Sequence, residues 1–229
     1  TEKMVENADV LEVARAIGFT TGMPSRSQVG YVEEILVDRA FLEDRANSAL
    51  EIATLEDMAL IGVLTPHLMA NIAAATALAR SLDVAPAAIK EAIRTFKLDS
   101  HRIELVLEKN DVRWIDDSKA TNPHAAAASL NSFENVIWIV GGLLKGVDLG
   151  ELVKDFGSRL KAAIVIGVDR EPVLAALAQN ASTVPVIEID EPDKSLVMTR
   201  VVTAAKSLAS AGDTVLLAPS AASMGQFKD

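Results

Sequence analysis

The sequence predicts an α/β fold: a Rossmann-like, mostly parallel sheet with one antiparallel strand in the C-terminal part, preceded by an α+β part. Three observations carry this. From "NVIWIVGG" (Asn135–Gly142) to "TVLLAPS" (Thr214–Ser220), short apolar runs alternate with helical stretches, the pattern of parallel strands covered on both faces. Just before them, "IELVLEKNDVRWI" (Ile103–Ile115) reads as a hairpin with Asn110 and Asp111 in its turn, so its first strand is the antiparallel exception. The residues up to Phe96 have another style, with loosely alternating stretches followed by two helices.

In order along the chain, "ARAIGFT" (Ala14–Thr20) reads as a strand. "YVEEILVDRAFLEDR" (Tyr31–Arg45) reads as antiparallel strands with one wet face. "HLMANIAAATALARSL" places Met69, Ile72, Ala73, Thr76 and Arg80 at helical spacing. "PAAIKEAIRTF" opens a helix with Pro86 at its first position and repeats Ile89, Ala92, Ile93 and Phe96. "KLDSHR" (Lys97–Arg102) is polar and without periodicity, so a boundary falls there, giving parts 1–98 and 99–229, with relative motion of the two expected across the link. Beyond the hairpin a helix starts at Pro123. Strands at Ala162–Val168 and Val184–Ile189 then alternate with helices at Gly150–Phe156, Glu171–Gln179 and Lys194–Ala209.

Half of the 229 residues are hydrophobic, enough for a real core, and no apolar run reaches the 18 residues of a membrane span. The net charge of −10 argues against a nucleic-acid partner, because phosphate contacts need clustered Lys and Arg. With no cysteine there are no disulfides or thiolate metal sites. His67, His101 and His124 are scattered, with no pair at ligand spacing, and read as capping or packing residues, so no metal site is expected. Neither GxxxxGK[ST] nor GxGxxG occurs. The Thr1 start, and an end at "GQFKD" without a terminal helix, lead us to expect a fragment.

Ligands of open α/β sheets bind beyond the C-terminal strand ends. "WIDDSKATN", "IVGGLLKG", "IGVDRE" and "LLAPSAASMGQF" end four strands, and the first, second and last concentrate unusual residues. Asn122 is placed to cap the helix that starts at Pro123. Ser118, Lys119 and Thr121 then lie beside a positive helix end, Lys145 adds a second cation, and Ser223 adds a hydroxyl, together a seat for an anion. Loops of this kind are also polar in α/β domains that bind nothing there, and the residues alone leave both readings open. Asp116 and Asp117 point to opposite strand faces, so at most one enters a given site.

"PHLMANIAAATALA", "SHRIELV", "WIDDSKATNPHAAAASL", "IVGGLLKG" and "LLAPSAASMGQF" occur in the order found in the Mur ligase family. Over essentially the whole chain the sequence resembles that family's MurD type, with "DDSKATN" the discriminating piece. The resemblance implies that residues 1–98 are the C-terminal part of a central ATP-binding domain. Residues 99–229 are then the Rossmann-like amino-acid-binding domain, its final helix missing, and the phosphate loop and metal ligands lie outside this chain. It implies an ATP-dependent, amide-forming ligase of peptidoglycan and cell-wall synthesis, a process tied to cell shape and division. The enzyme would be a cytoplasmic monomer that adds D-glutamate to UDP-N-acetylmuramoyl-L-alanine through an acyl phosphate. ATP and Mg2+ would serve the complete enzyme, the partners would be small molecules with no nucleic acid or membrane, and the fragment alone would be inactive.

Residue by residue, the resemblance implies ATP contacts at Asn71 (adenine), Arg102 (phosphates) and Asp117 (ribose). It implies catalytic roles for Lys119 and Lys145. D-Glutamate contacts would come from Lys119, Thr121, Lys145, Ser223, Met224 and Phe227. Leu143 and Leu144 stand where many relatives have polar or small residues, Gly225 replaces a common Asp, and the chain stops at Asp229. A ligase of the same superfamily with another amino-acid substrate, and a non-catalytic nucleotide- or anion-binding module, are the competing readings.

Overall fold

The computed structural model describes residues 16–222. The chain divides into two compact units, Thr1–Leu98 and Asp99–Asp229.

The first unit is a four-stranded sheet in the order β1-β2-β3-β4, backed by helices. Its strands are β1 (Gly18–Phe19), β2 (Gln28–Val32), β3 (Ile35–Asp38) and β4 (Leu50–Thr54), with β1 parallel to β2 and the other pairs antiparallel. The expected strand at Ala14–Thr20 is shorter, two residues of it being strand; Ala14 and Arg15 lie outside the described residues. β2 and β3 form a tight hairpin in which Glu33 takes φ 53°. The structure adds β4 and the short helix α1 (Leu55–Ala59) to the expected elements, with "TLED" at their junction. Thr54 caps α1, accepting from the Asp57 N–H, while the Asp57 carboxylate accepts from the Thr54 N–H at 3.0 Å.

Two longer helices follow, α2 (Pro66–Ser81) and α3 (Pro86–Thr95), each opening on a proline. Thr65 caps α2 through the Leu68 N–H. Leu68, Ile72, Ala73, Thr76 and Ala77 of α2 are buried, and Ile89 and Ile93 of α3. They pack with Val29, Leu36, Ile52 and Met58. Tyr31 ties sheet to helix, its hydroxyl donating to the Met69 carbonyl at 2.9 Å. Asp38 is fully buried and fully partnered, accepting from the N–H groups of Ala40 and Phe41 and from Arg80 Nε at 2.9 Å. The expected apolar stripe of α3 is only half used, since Ala92 and Phe96 stay exposed. They line a groove of about 390 Å3 between α2 and α3 with Leu68, Asn71 and Leu98.

The second unit is a six-stranded sheet in the order β5-β6-β10-β7-β8-β9. β5 (Glu104–Lys109) and β6 (Val112–Asp116) are the antiparallel hairpin. Asn110 and Asp111 take φ 55° and 59°, the doubly left-handed turn that matches strand twist. β7 (Val136–Gly141), β8 (Leu160–Ile166), β9 (Val186–Glu188) and β10 (Thr214–Leu217) run parallel to their neighbours. Between them come α4 (Pro123–Leu130), α5 (Gly150–Phe156), α6 (Arg170–Asn180) and α7 (Lys194–Leu208).

All six residues of β7 are buried. Ile137 and Ile139 pack with Ile164, Ile166 and Val201 and Ala205 of α7. Strand alternation sends Val136, Trp138 and Val140 to the other face, where they too are buried. The Trp138 indole N–H donates to the Ala218 carbonyl at 2.8 Å, so this buried aromatic leaves no polar atom unpaired.

α3 ends at Thr95 and no helix runs through Lys97–Arg102. The link is less free than its composition suggests. Leu98 packs on the core of the first unit. His101 is bound within the second unit, donating its N–H to Glu104 Oε2 at 2.8 Å and accepting from the Lys119 N–H at 3.2 Å.

Candidate functional site at the carboxyl edge of the six-stranded sheet

β6, β10 and β7 are neighbours and parallel. Three of the loops singled out in the sequence therefore leave the same edge side by side. The chain order sends β6 to β7 across a gap that β10 fills last, so the loops meet where the connections diverge.

The β6 loop is held by its backbone. The Asp117 N–H donates to the Leu217 carbonyl at 2.9 Å, Ala120 N–H to Asp117 at 2.8 Å, and Ser220 N–H to Ala120 at 2.8 Å. Ala120 is buried while Lys119 and Thr121 on either side are exposed, so the anchored alanine presents its two neighbours outward. Asn122 Oδ1 accepts from the Ala125 N–H at 2.9 Å, the expected cap of α4.

The two aspartates diverge as expected. Asp117 is 7% exposed, and its carboxylate accepts from the Ile103 N–H and the Ser129 hydroxyl. Ser129, not foreseen from the sequence, thereby joins α4 to the start of the unit. Asp116 faces His101, Oδ2 lying 2.7 Å from His101 Nδ1, while Oδ1 accepts from the Ser118 N–H at 2.9 Å. Burial pushes the Asp116 carboxyl up, but the hydrogen bonds from His101 and Ser118 outweigh it and hold the group below the usual carboxylate range.

The β7 loop is a turn closed by the Val147 N–H on the Leu144 carbonyl at 3.1 Å, with Lys145 at φ 54° and Gly146 at φ 81°. A lysine in this left-handed region costs about 1 kcal/mol, and it lifts the exposed ammonium from the turn while Leu144, 3% exposed, anchors it. Leu143 exchanges two backbone hydrogen bonds with Ala222, at 2.9 and 3.3 Å. The strand end beneath approaches backbone to backbone. A Cβ on Gly141 would lie 2.1 Å from the Ile166 carbonyl oxygen, so only glycine fits.

The sheet edge thus places Lys119 and Thr121 on the β6 loop and Lys145 on the β7 loop, either side of β10, with Asp117 buried. Arg102 lies in the link, its guanidinium half exposed and paired only loosely with Asp99 at 3.5 Å. Asn71 belongs to the first unit, where it and Thr76 are the polar side chains of the α2–α3 groove. Ser223, Met224 and Phe227 lie outside the described residues.

His101, Glu104 and Asp116 bring one ring nitrogen and two carboxylate oxygens within 4.8 Å of one another. The ring nitrogen already bonds the Asp116 carboxylate and the Glu104 carboxylate accepts from the His101 backbone N–H, and one nitrogen with two oxygens does not suit magnesium, which demands octahedral oxygen ligands. No step is assigned to a metal held by this chain. Among the described residues no helix is long and apolar enough to cross a membrane.

Residues 101–221 match the family model described as "Mur ligase, glutamate ligase domain", and the chain belongs to that family. It is 51% identical, over its whole length, to the UDP-N-acetylmuramoylalanine–D-glutamate ligase of Leifsonia xyli subsp. xyli, covering 44% of that protein. It is 48% identical over 99% of its length to the ligase of the same name from Streptomyces coelicolor, covering 47% of it. The chain spans less than half the length of these relatives. Among solved structures, a pseudomurein peptide ligase type C from Methanothermus fervidus shares the fold at a TM-score of 0.55 and 18% identity, over 83% of this chain and 38% of that one. The UDP-N-acetylmuramate-alanine ligase MurC of Thermotoga maritima does so at 0.52 and 15%, over 70% and 36%.

Proposed function

We propose that this chain is the amino-acid-binding domain, with the adjoining part of the ATP-binding domain, of a ligase that joins D-glutamate to UDP-N-acetylmuramoyl-L-alanine in peptidoglycan synthesis. The observation that carries the reading is the pair of exposed lysines, Lys119 and Lys145, on the loops of β6 and β7 that flank β10. The relatives' shared name supplies the substrates. Cytoplasmic location, a monomeric enzyme and small-molecule partners belong to the same proposal, as does the assignment of residues 1–98 and 99–229 to the two domains.

In the proposed reaction the muramoyl-alanine carboxylate attacks the γ-phosphorus of ATP, ADP leaves, and an acyl phosphate forms. The D-glutamate amine attacks its carbonyl carbon, phosphate leaves, and the amine gives up a proton, completing the amide. Positioning and charge neutralisation are the protein's task. Magnesium would neutralise phosphate charge in the complete enzyme. Arg102 offers phosphate a forked guanidinium. Asp117 is assigned to the ribose, a carboxylate being an acceptor for sugar hydroxyls. The amide of Asn71 beside an apolar groove suits the edge and face of adenine. Lys119 and Thr121 serve the acyl-phosphate end, Lys145 pairs with a glutamate carboxylate, and Ser223, Met224 and Phe227 cover the glutamate side chain.

The test is ADP release by the complete protein with ATP and UDP-N-acetylmuramoyl-L-alanine, as a function of the amino acid supplied. D-Glutamate should stimulate release, with L-glutamate, L-alanine and meso-diaminopimelate near the blank. Preference for another amino acid would move the chain to a different ligase of the superfamily, and no release with any would favour a binding module. The 229-residue chain alone lacks a phosphate loop and should release no ADP above the blank.

A further inference from the structure

Asp169 stands at the N-cap of α6, where an aspartate ordinarily accepts from the N–H groups of its own first turn. Here it makes no side-chain cap bond. Its Oδ2 instead accepts from the Leu144 N–H at 2.8 Å, 25 residues away in sequence, and its own N–H donates to the Gly142 carbonyl at 3.1 Å. We infer that Asp169 is a positioning residue for Lys145, and so for the substrate carboxylate proposed to bind that lysine; the inference rests on the reading of Lys145 given above.

One residue thus holds the β7 loop at two points, Gly142 and Leu144, on either side of Leu143. Leu143 is held from a different direction by Ala222. Leu144 is the first residue of the turn that carries Lys145. Fixing the Leu144 N–H therefore fixes the peptide on which the lysine's left-handed backbone begins, a conformation lysine does not favour by itself. Close approach beneath keeps the clamp short, because a Cβ on Gly167 would lie 2.5 Å from Gly142 Cα. Removal of the carboxylate orphans a part-buried N–H and lets the turn relax, displacing the ammonium. The Asp169 carboxylate accepts a stronger, charge-assisted hydrogen bond, which suits a loop whose position matters.

The experiment uses the complete enzyme and the variants D169A, D169N, D169E and K145A, with KM for D-glutamate and for ATP, kcat and Tm measured for each. D169A should raise KM for D-glutamate roughly tenfold and leave KM for ATP within about twofold. D169N keeps an oxygen acceptor in place and should stay within about threefold of the wild type. D169E keeps the charge but moves the acceptor by one methylene, and should raise KM for D-glutamate severalfold; it serves the test should D169A not fold. A lowered Tm in D169A and D169E with KM for D-glutamate unchanged, or equal rises in both KM values, overturns the inference while K145A still raises KM for D-glutamate. If K145A itself leaves that KM unchanged, the reading of Lys145 fails and this inference with it.

Discussion

β7 in the six-stranded unit and α2 in the four-stranded unit are both mainly apolar, yet they meet different fates. Every residue of β7 is buried. α2 has little polar face, its non-apolar residues being His67, Asn71, Thr76, Arg80 and Ser81, but it is covered on one side only, with Leu78 71% exposed and Leu82 just beyond it 80% exposed. A strand inside a parallel sheet has helices on both faces, so its apolar run states its environment directly. A helix apolar around its circumference states that it needs cover on all sides, but its periodicity does not say which side receives it from the same chain.

The largest effect that sharpens this contrast should come from Trp138→Ala, which empties a fully buried site and removes the hydrogen bond to Ala218. The expected loss is about 3–5 kcal/mol. Leu82→Ala in the 229-residue chain should change stability by no more than about 0.5 kcal/mol. The chain's two tryptophans, Trp114 and Trp138, both lie in the six-stranded unit, so Trp114 fluorescence during denaturation reads the first variant without interference from the other unit. Comparable losses in the two variants would erase the contrast.

A smaller effect belongs to the four-stranded unit. The Asp57 carboxyl is lowered from 3.8 to about 2, first by the Thr54 N–H, with Lys90 at 3.1 Å adding to it against the opposing effect of burial. A depressed folded-state value means the stabilisation is present above the ordinary carboxylate value and is lost as pH falls toward 2. Asp57→Ala should therefore cost about 1 kcal/mol near neutral pH, and variant and wild type should converge between roughly pH 4 and pH 2. Denaturation followed at Tyr31, the chain's one tyrosine, reports this unit; a difference that persists unchanged to pH 2 would contradict the assignment.

The six-stranded unit was legible because each signal there is local. Asn110–Asp111 dictates its turn, Asn122–Pro123 its helix start, and the strand runs are continuous. The position of β10 between β6 and β7, which makes three loops into one edge, is a property of sheet order that no local pattern states. The role of Asp169 is not legible in sequence, because "VDRE" reads as an ordinary helix start and the distant bond to Leu144 has no trace in spacing. The capping box Thr54–Asp57, by contrast, is a local signal that the sequence does carry. The burial of Asp117 against Ser129 depends on α4 folding back over the strand end, which again is tertiary.

The central claim, that the edge carrying Lys119 and Lys145 receives D-glutamate while the link presents Arg102 to ATP, is tested most directly by steady-state kinetics. The measurement is of Lys145→Ala, Arg102→Ala and the surface control Lys194→Ala in the complete enzyme. Loss of a charge-assisted bond to a substrate costs roughly 1.5–3 kcal/mol, ten- to hundredfold in kcat/KM. Lys145→Ala should lose that much toward D-glutamate and little toward ATP, Arg102→Ala the reverse, and Lys194→Ala neither. Wild-type kinetics for both substrates in Lys145→Ala and Arg102→Ala would contradict the account.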